Sequence, residues 1–125
     1  MTTSSAQTAV SREGARTVVW LNGEHDIATS VALADTLAGA ISLDDADLVV
    51  DLSGVTFMAG ATISELVRSE HALRGQHRRL AVRAPSGIAA RVLELCGLTD
   101  LVECAGPAGG LRQTRQRLPV AFPVA

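Results

Sequence analysis

Aromatic residues are nearly missing from this chain. Trp20, Phe57 and Phe122 are its whole supply, and there is no tyrosine. A stacking platform for nucleic-acid bases cannot be assembled from so few rings. Lysine is absent altogether: all 11 basic residues are arginine, which we read as the coding bias of a GC-rich genome. Against them stand 13 acidic residues, for a net charge of -2, so no basic footprint for nucleic acid is expected. Cysteine is limited to Cys96 and Cys104, in no Cys-x-x-Cys motif and behind no signal peptide. They read as reduced core thiols of a cytoplasmic protein, Cys96 on a buried helix face and Cys104 near the end of a strand. No apolar run approaches the ~20 residues of a membrane span. His25, His71 and His77 show no zinc-ligand spacing, so no metal is expected. The sequence holds no Gly-x-Ser-x-Gly elbow, no Walker loop and no dinucleotide fingerprint. The stretch Gly106 to Gly110 lacks the Lys-Ser/Thr of a phosphate loop and contains Pro107, which has no N–H to donate. An enzyme is therefore not expected, nor a cofactor.

What is present is a core. Hydrophobic residues make up 47% of the 125, enough for one domain without disulfide or metal staples. Met1 to Ala6 reads as a flexible tail, residues 7–118 as the domain, and Pro119 to Ala125 as a second tail. Gln7 to Ser11 suggests a short edge strand, joined through a turn at Gly14 to a β-branched strand, Thr17 to Leu21, which Asn22 and Gly23 end. Asp26 is placed to cap the helix that follows, whose buried stripe is expected from Val31, Ala34, Leu37, Ala38 and Ile41. The almost continuous apolar run of Leu48, Val49, Val50 and Leu52 suits a central strand buried on both faces. A second helix is expected from about Gly60 to Leu73, with Ile63, Leu66, Val67 and Leu73 on one stripe. Arg79 to Arg83 alternates as a strand. Ser86 caps a third helix, with Ile88, Val92, Leu95 and Cys96 inward. Leu101 to Cys104 reads as a last strand, and Leu111, Thr114 and Leu118 as a short final helix. An initial hairpin followed by alternating strands and helices implies an α/β fold. Its mixed central sheet should have about four to five strands, with helices largely on one face.

Three segments, in order, carry a resemblance. They are Leu21-Asn22-Gly23-Glu24-His25-Asp26, the run Leu48-Val49-Val50-Asp51-Leu52-Ser53-Gly54-Val55-Thr56-Phe57-Met58, and Leu93-Glu94-Leu95-Cys96-Gly97-Leu98. With the expected elements between them, they are similar to the STAS domain of bacterial anti-sigma factor antagonists. The resemblance implies a regulatory protein-binding module whose partner is an anti-sigma factor of the serine kinase type. Binding would free the sigma factor for transcription. In that family a serine after the Phe-Met pair is phosphorylated by the partner. Here Ala59-Gly60-Ala61-Thr62 follows, so Gly60 stands at the phosphorylated position and Ala59 at the acidic one.

Thr62 is the nearest hydroxyl within the first helical turn and is the candidate phosphosite, its alternative role being a bond to local backbone. Because the two family turns are adjacent, the resemblance places the partner interface around Asp26, Met58, Gly60 and Thr62. His25 sits where an apolar residue is more usual and is expected at the surface. The missing serine leaves a second function open: a STAS partner subunit of another assembly, such as a lipid-transport ATPase or a stressosome-like complex. A homodimer is left open too.

Overall fold

The computed structural model describes residues 6–103. Four strands, β1 (Gln7–Glu13), β2 (Arg16–His25), β3 (Asp47–Met58) and β4 (Leu80–Arg83), form one sheet in the order β1-β2-β3-β4. The hairpin pairs β1 with β2 antiparallel, and β3 and β4 join in parallel. Parallel neighbours need crossovers, which α1 (Ser30–Leu43) and α2 (Gly60–Arg74) supply, while α3 (Gly87–Leu95) follows β4. Period-two alternation sends Val19, Leu21, Leu48, Val50, Leu52 and Val82 to one face. There they share a single core with Leu33 and Leu37 of α1, Ile63, Leu66 and Leu73 of α2, and Ala89 and Leu93 of α3. All three helices thus lie on one side, and the Leu48 to Leu52 run is interior to the sheet.

Several local expectations are corrected. Asn22 and Gly23 do not end β2; the strand continues to His25. Register shifts on either side of this pair absorb the irregularity, and Gly23 takes a left-handed φ of 84° that only glycine adopts without strain. Pairing therefore runs on, carrying β3 to Met58. Of the last strand expected at Leu101 to Cys104, the described residues 101–103 form no strand. A 3-10 turn, Thr99–Leu101, precedes a single parallel bridge between Val102 and Val82, and the Glu103 N–H donates to the Val82 carbonyl at 2.7 Å. Cys104, the helix expected at Leu111 to Leu118, residues 1–5 of the first tail and all of the second lie outside the described residues.

Two helices are rotated from their expected phase. In α1 the buried residues are Leu33, Leu37 and Ala40, while Val31 is 71% exposed. Its many alanines offer several equivalent stripes, and the 3-10 turn Ile27–Thr29 ahead of it sets the phase. In α3, Ala89 and Leu93 are buried, and Ile88, Leu95 and Cys96 are exposed. This helix is anchored at its start, where the Ser86 N–H donates to the Leu52 carbonyl at 3.2 Å and the Ser86 hydroxyl caps the Ala89 N–H. The small Ala89 side chain faces the sheet from there. Cys96 is thus not the core thiol expected of it.

On the opposite sheet face no helix packs among the described residues. There the Arg83 guanidinium donates to Asp51 at 2.9 Å and to Glu13 at 2.7 Å, and lies 4.9 Å from the centre of the Trp20 ring. The Trp20 indole N–H donates to the Ser11 hydroxyl. Burial opposes the charge on Asp51, but the Ser53 hydroxyl and N–H and the Arg83 guanidinium outweigh it and hold its carboxyl below the usual range. The hydrogen bond from Arg83 does the same for Glu13.

Candidate functional site

The site is built where β2 ends and α2 begins. The His25 carbonyl accepts two hydrogen bonds, from the Ala59 N–H at 2.9 Å and from the Thr62 hydroxyl at 3.1 Å. These bonds bring the Asp26 turn against the first turn of α2, so the two segments singled out in the sequence do meet. Asp26 closes a capping box: its carboxylate accepts from the Thr29 N–H, and its own N–H donates to the Thr29 hydroxyl, each at 3.0 Å. Its capping role is therefore observed, in the short turn that leads into α1.

The four interface residues separate into two layers. Gly60 is exposed, and a Cβ built there would meet nothing within 4 Å. Asp26 is half-buried beside it in the neighbouring turn. Met58 and Thr62 are buried, at 3% and 0% exposure, and support the surface from beneath. The Thr62 hydroxyl bonds not to local backbone but to the distant His25 carbonyl, and it is buried in the first turn of α2. No side chain caps that helix, because Ala59 stands at the N-cap. Its first turn therefore presents backbone N–H groups and the positive end of the helix dipole next to an unobstructed Gly60.

His25 is not at the surface: it is 1% exposed, and it occupies an apolar position of the strand pattern as an internal residue. Its ring Nε2 lies 3.0 Å from the Asn22 carbonyl, which can only accept, so the hydrogen sits on Nε2. Nδ1 is buried with no hydrogen-bond partner among the described residues. Two residues at the site were not signalled by the sequence. Ile27 and Val31 are 76% and 71% exposed, a spacing of four residues at the entry to α1. Val31 was expected on the buried stripe of α1, and the phase set by the Asp26 turn brings it out. No group of three or more His, Cys, Asp or Glu able to hold a metal occurs among the described residues. None of the helices described is long and apolar enough to cross a membrane.

A mixed four-stranded sheet with its helices on one side, and a strand end bonded to the start of the following helix, define a STAS-type α/β domain. The family model of the Mlab STAS domain matches residues 8–103, and the chain belongs to the STAS family. Among solved structures, an anti-sigma factor antagonist from Mycobacterium paratuberculosis is 30% identical, with a TM-score of 0.69 over 78% of this chain and 83% of that one. SpoIIAA, an anti-sigma factor antagonist, has the same fold in its unphosphorylated form, at 16% identity and TM-score 0.71 over 90% of this chain and all of its own. The phosphorylated form of SpoIIAA, the Bacillus cell fate determinant, is similar at 17% identity and TM-score 0.64, over 87% of this chain and 100% of that one. No curated protein matches the chain in sequence.

Proposed function

We propose that this chain is a cytoplasmic anti-sigma factor antagonist that captures an anti-sigma factor of the serine kinase type, through the surface around Asp26 and Gly60, without the usual phosphoserine control. The observation that carries the reading is Gly60 itself. It stands where the family resemblance expects the phosphorylated serine, and it is exposed and unobstructed at an uncapped helix start. A polar or acidic group of a partner can approach the free N–H groups there directly. Glycine cannot take a phosphate, and Thr62 is committed to the His25 carbonyl. Met58 and Thr62 act beneath the surface, and the exposed Ile27 and Val31 extend it with apolar area. Nothing in this reading calls for catalysis.

The Gly60 substitution also favours a second reading, in which the domain is a permanent subunit of another assembly, such as a lipid-transport ATPase or a stressosome-like complex. Such a subunit needs the docking surface and not the switch. Affinity capture from the native cell, with the Gly60→Arg variant as control, separates the two. An anti-sigma factor recovered by the wild type and lost with Gly60→Arg supports the first reading. Recovery of transporter or stressosome subunits instead supports the second. Equal recovery of the partner by both forms places the binding surface elsewhere.

A further inference from the structure

The two edges of the sheet are unlike. At β4 the chain returns on itself, and the Val102 bridge and the Glu103 N–H cover part of the edge. At β1 nothing among the described residues pairs with the outer side. All seven residues from Gln7 to Glu13 are exposed, and their register with β2 is unbroken, so the strand is free of the bulges that twist an edge away from pairing. It has no proline. Its two charges, which would ordinarily guard such an edge, are both engaged on the domain's own body: Arg12 with Asp44 and Glu13 with Arg83. Gln7 to Ser11 is left an uncharged template of backbone donors and acceptors, with Val10 46% exposed at its middle.

We propose that this edge pairs with β1 of a second copy of the chain, antiparallel about Val10, to give one continuous eight-stranded sheet. The sequence is self-complementary in that register. Val10 meets Val10 of the second copy, Ala9 meets its Ser11, Thr8 meets its Arg12 and Gln7 meets its Glu13, so no like charges stand opposite one another. The two-fold places the only large apolar residue of the strand at the centre of the contact, where each copy covers the other. One strand pair buries less than the ~1,200–2,000 Å² of a stable interface, so the dimer forms reversibly and only at high protein concentration. The inference is independent of which partner binds at Gly60.

Sedimentation velocity of the full chain, in reductant to exclude bridging through Cys96, tests it. The wild-type weight-average mass should rise towards twice the monomer between about 10 µM and about 1 mM, a range chosen for a weak interface. Val10→Lys and Val10→Glu should each remain monomeric, because like charges then meet on the two-fold. An equimolar mixture of the two should associate again. A fold defect in either variant cannot produce that rescue. A wild type that stays monomeric throughout overturns the proposal, and so does a Val10→Lys variant that dimerises as the wild type does.

Discussion

Gly54 and Asn22 meet closely across β2 and β3. A Cβ at Gly54 would lie 1.8 Å from the Asn22 Oδ1, the end of an exposed side chain that can rotate aside. Gly54→Ala should therefore cost about 1 kcal/mol or less, the low end of overpacking, and urea denaturation reads it directly. Adding Asn22→Ala should recover most of that loss, since it removes the atom being struck; additive losses in the double variant would place the strain elsewhere. Leu66 is fully buried, and Leu66→Ala should lose about 2–5 kcal/mol. A wild-type melting temperature would contradict its place in the core. Thr62→Glu would bury a carboxylate at a position with no exposure, so it should lower Tm rather than imitate a phosphate cleanly. The sequence pointed to Gly60 and Thr62 through the family pattern. It did not reveal that Thr62 is inward and bonded, because a hydroxyl reads alike whether it faces water or a carbonyl. His25 was misplaced for a related reason: its polarity argued for the surface, whereas the apolar role of its position in the strand decides its burial.

At the scale of elements, the sheet and its helices were legible where the apolar pattern was unambiguous. The Leu48 to Leu52 run has no polar interruption apart from Asp51, and α2 carries one stripe; both fall where the pattern put them. The phases of α1 and α3 did not, since alanine fits either face of a helix and tertiary anchors at Asp26 and Ser86 make the choice. Among the described residues the strand-like composition after Leu101 yields only one bridge to β4, because a strand needs a partner along its whole length and the 3-10 turn Thr99–Leu101 takes up its start. The Arg83 network on the sheet face opposite the helices was not legible at all, since it joins residues from all four strands.

That network gives a pH prediction. Asp51 and Glu13 have carboxyls held below their usual range, so their contribution to stability is complete above the unfolded-state values of about 4 and is lost as pH falls through the folded ones. Arg83→Met removes the shared cation. Its Tm deficit relative to wild type should be largest near neutral pH and should shrink as the solution is taken towards pH 3, roughly the range over which carboxylates protonate. A deficit independent of pH would mean that Arg83 acts through packing alone.

At the scale of the whole molecule, two surfaces meet at one corner. One end joins the Asp26 turn to the start of α2 and presents Gly60, Ile27 and Val31; the outer edge of β1 starts beside that turn, where Thr8 lines one pocket with His25, Ala28 and Thr29, and runs away from it through Val10. Partner capture at the first is best separated from self-pairing at the second by a mutation at Val10. Val10→Lys is expected to leave partner affinity within about twofold, well under the tenfold that 1.4 kcal/mol would give, because Val10 pairs with Val19, well back along β2 from the Asp26 turn. Calorimetric titration of wild type and variant checks this, and a large loss of affinity would mean that the two surfaces are coupled. The central claim, capture without a phosphoserine switch, is tested most directly by titrating the kinase-type anti-sigma factor with this chain before and after incubation of the two with ATP and magnesium. The account predicts the same affinity in both titrations and no phosphate on the chain by mass spectrometry. Binding that is lost after ATP, with phosphate found on Thr62 or another hydroxyl of the α2 start, would contradict it.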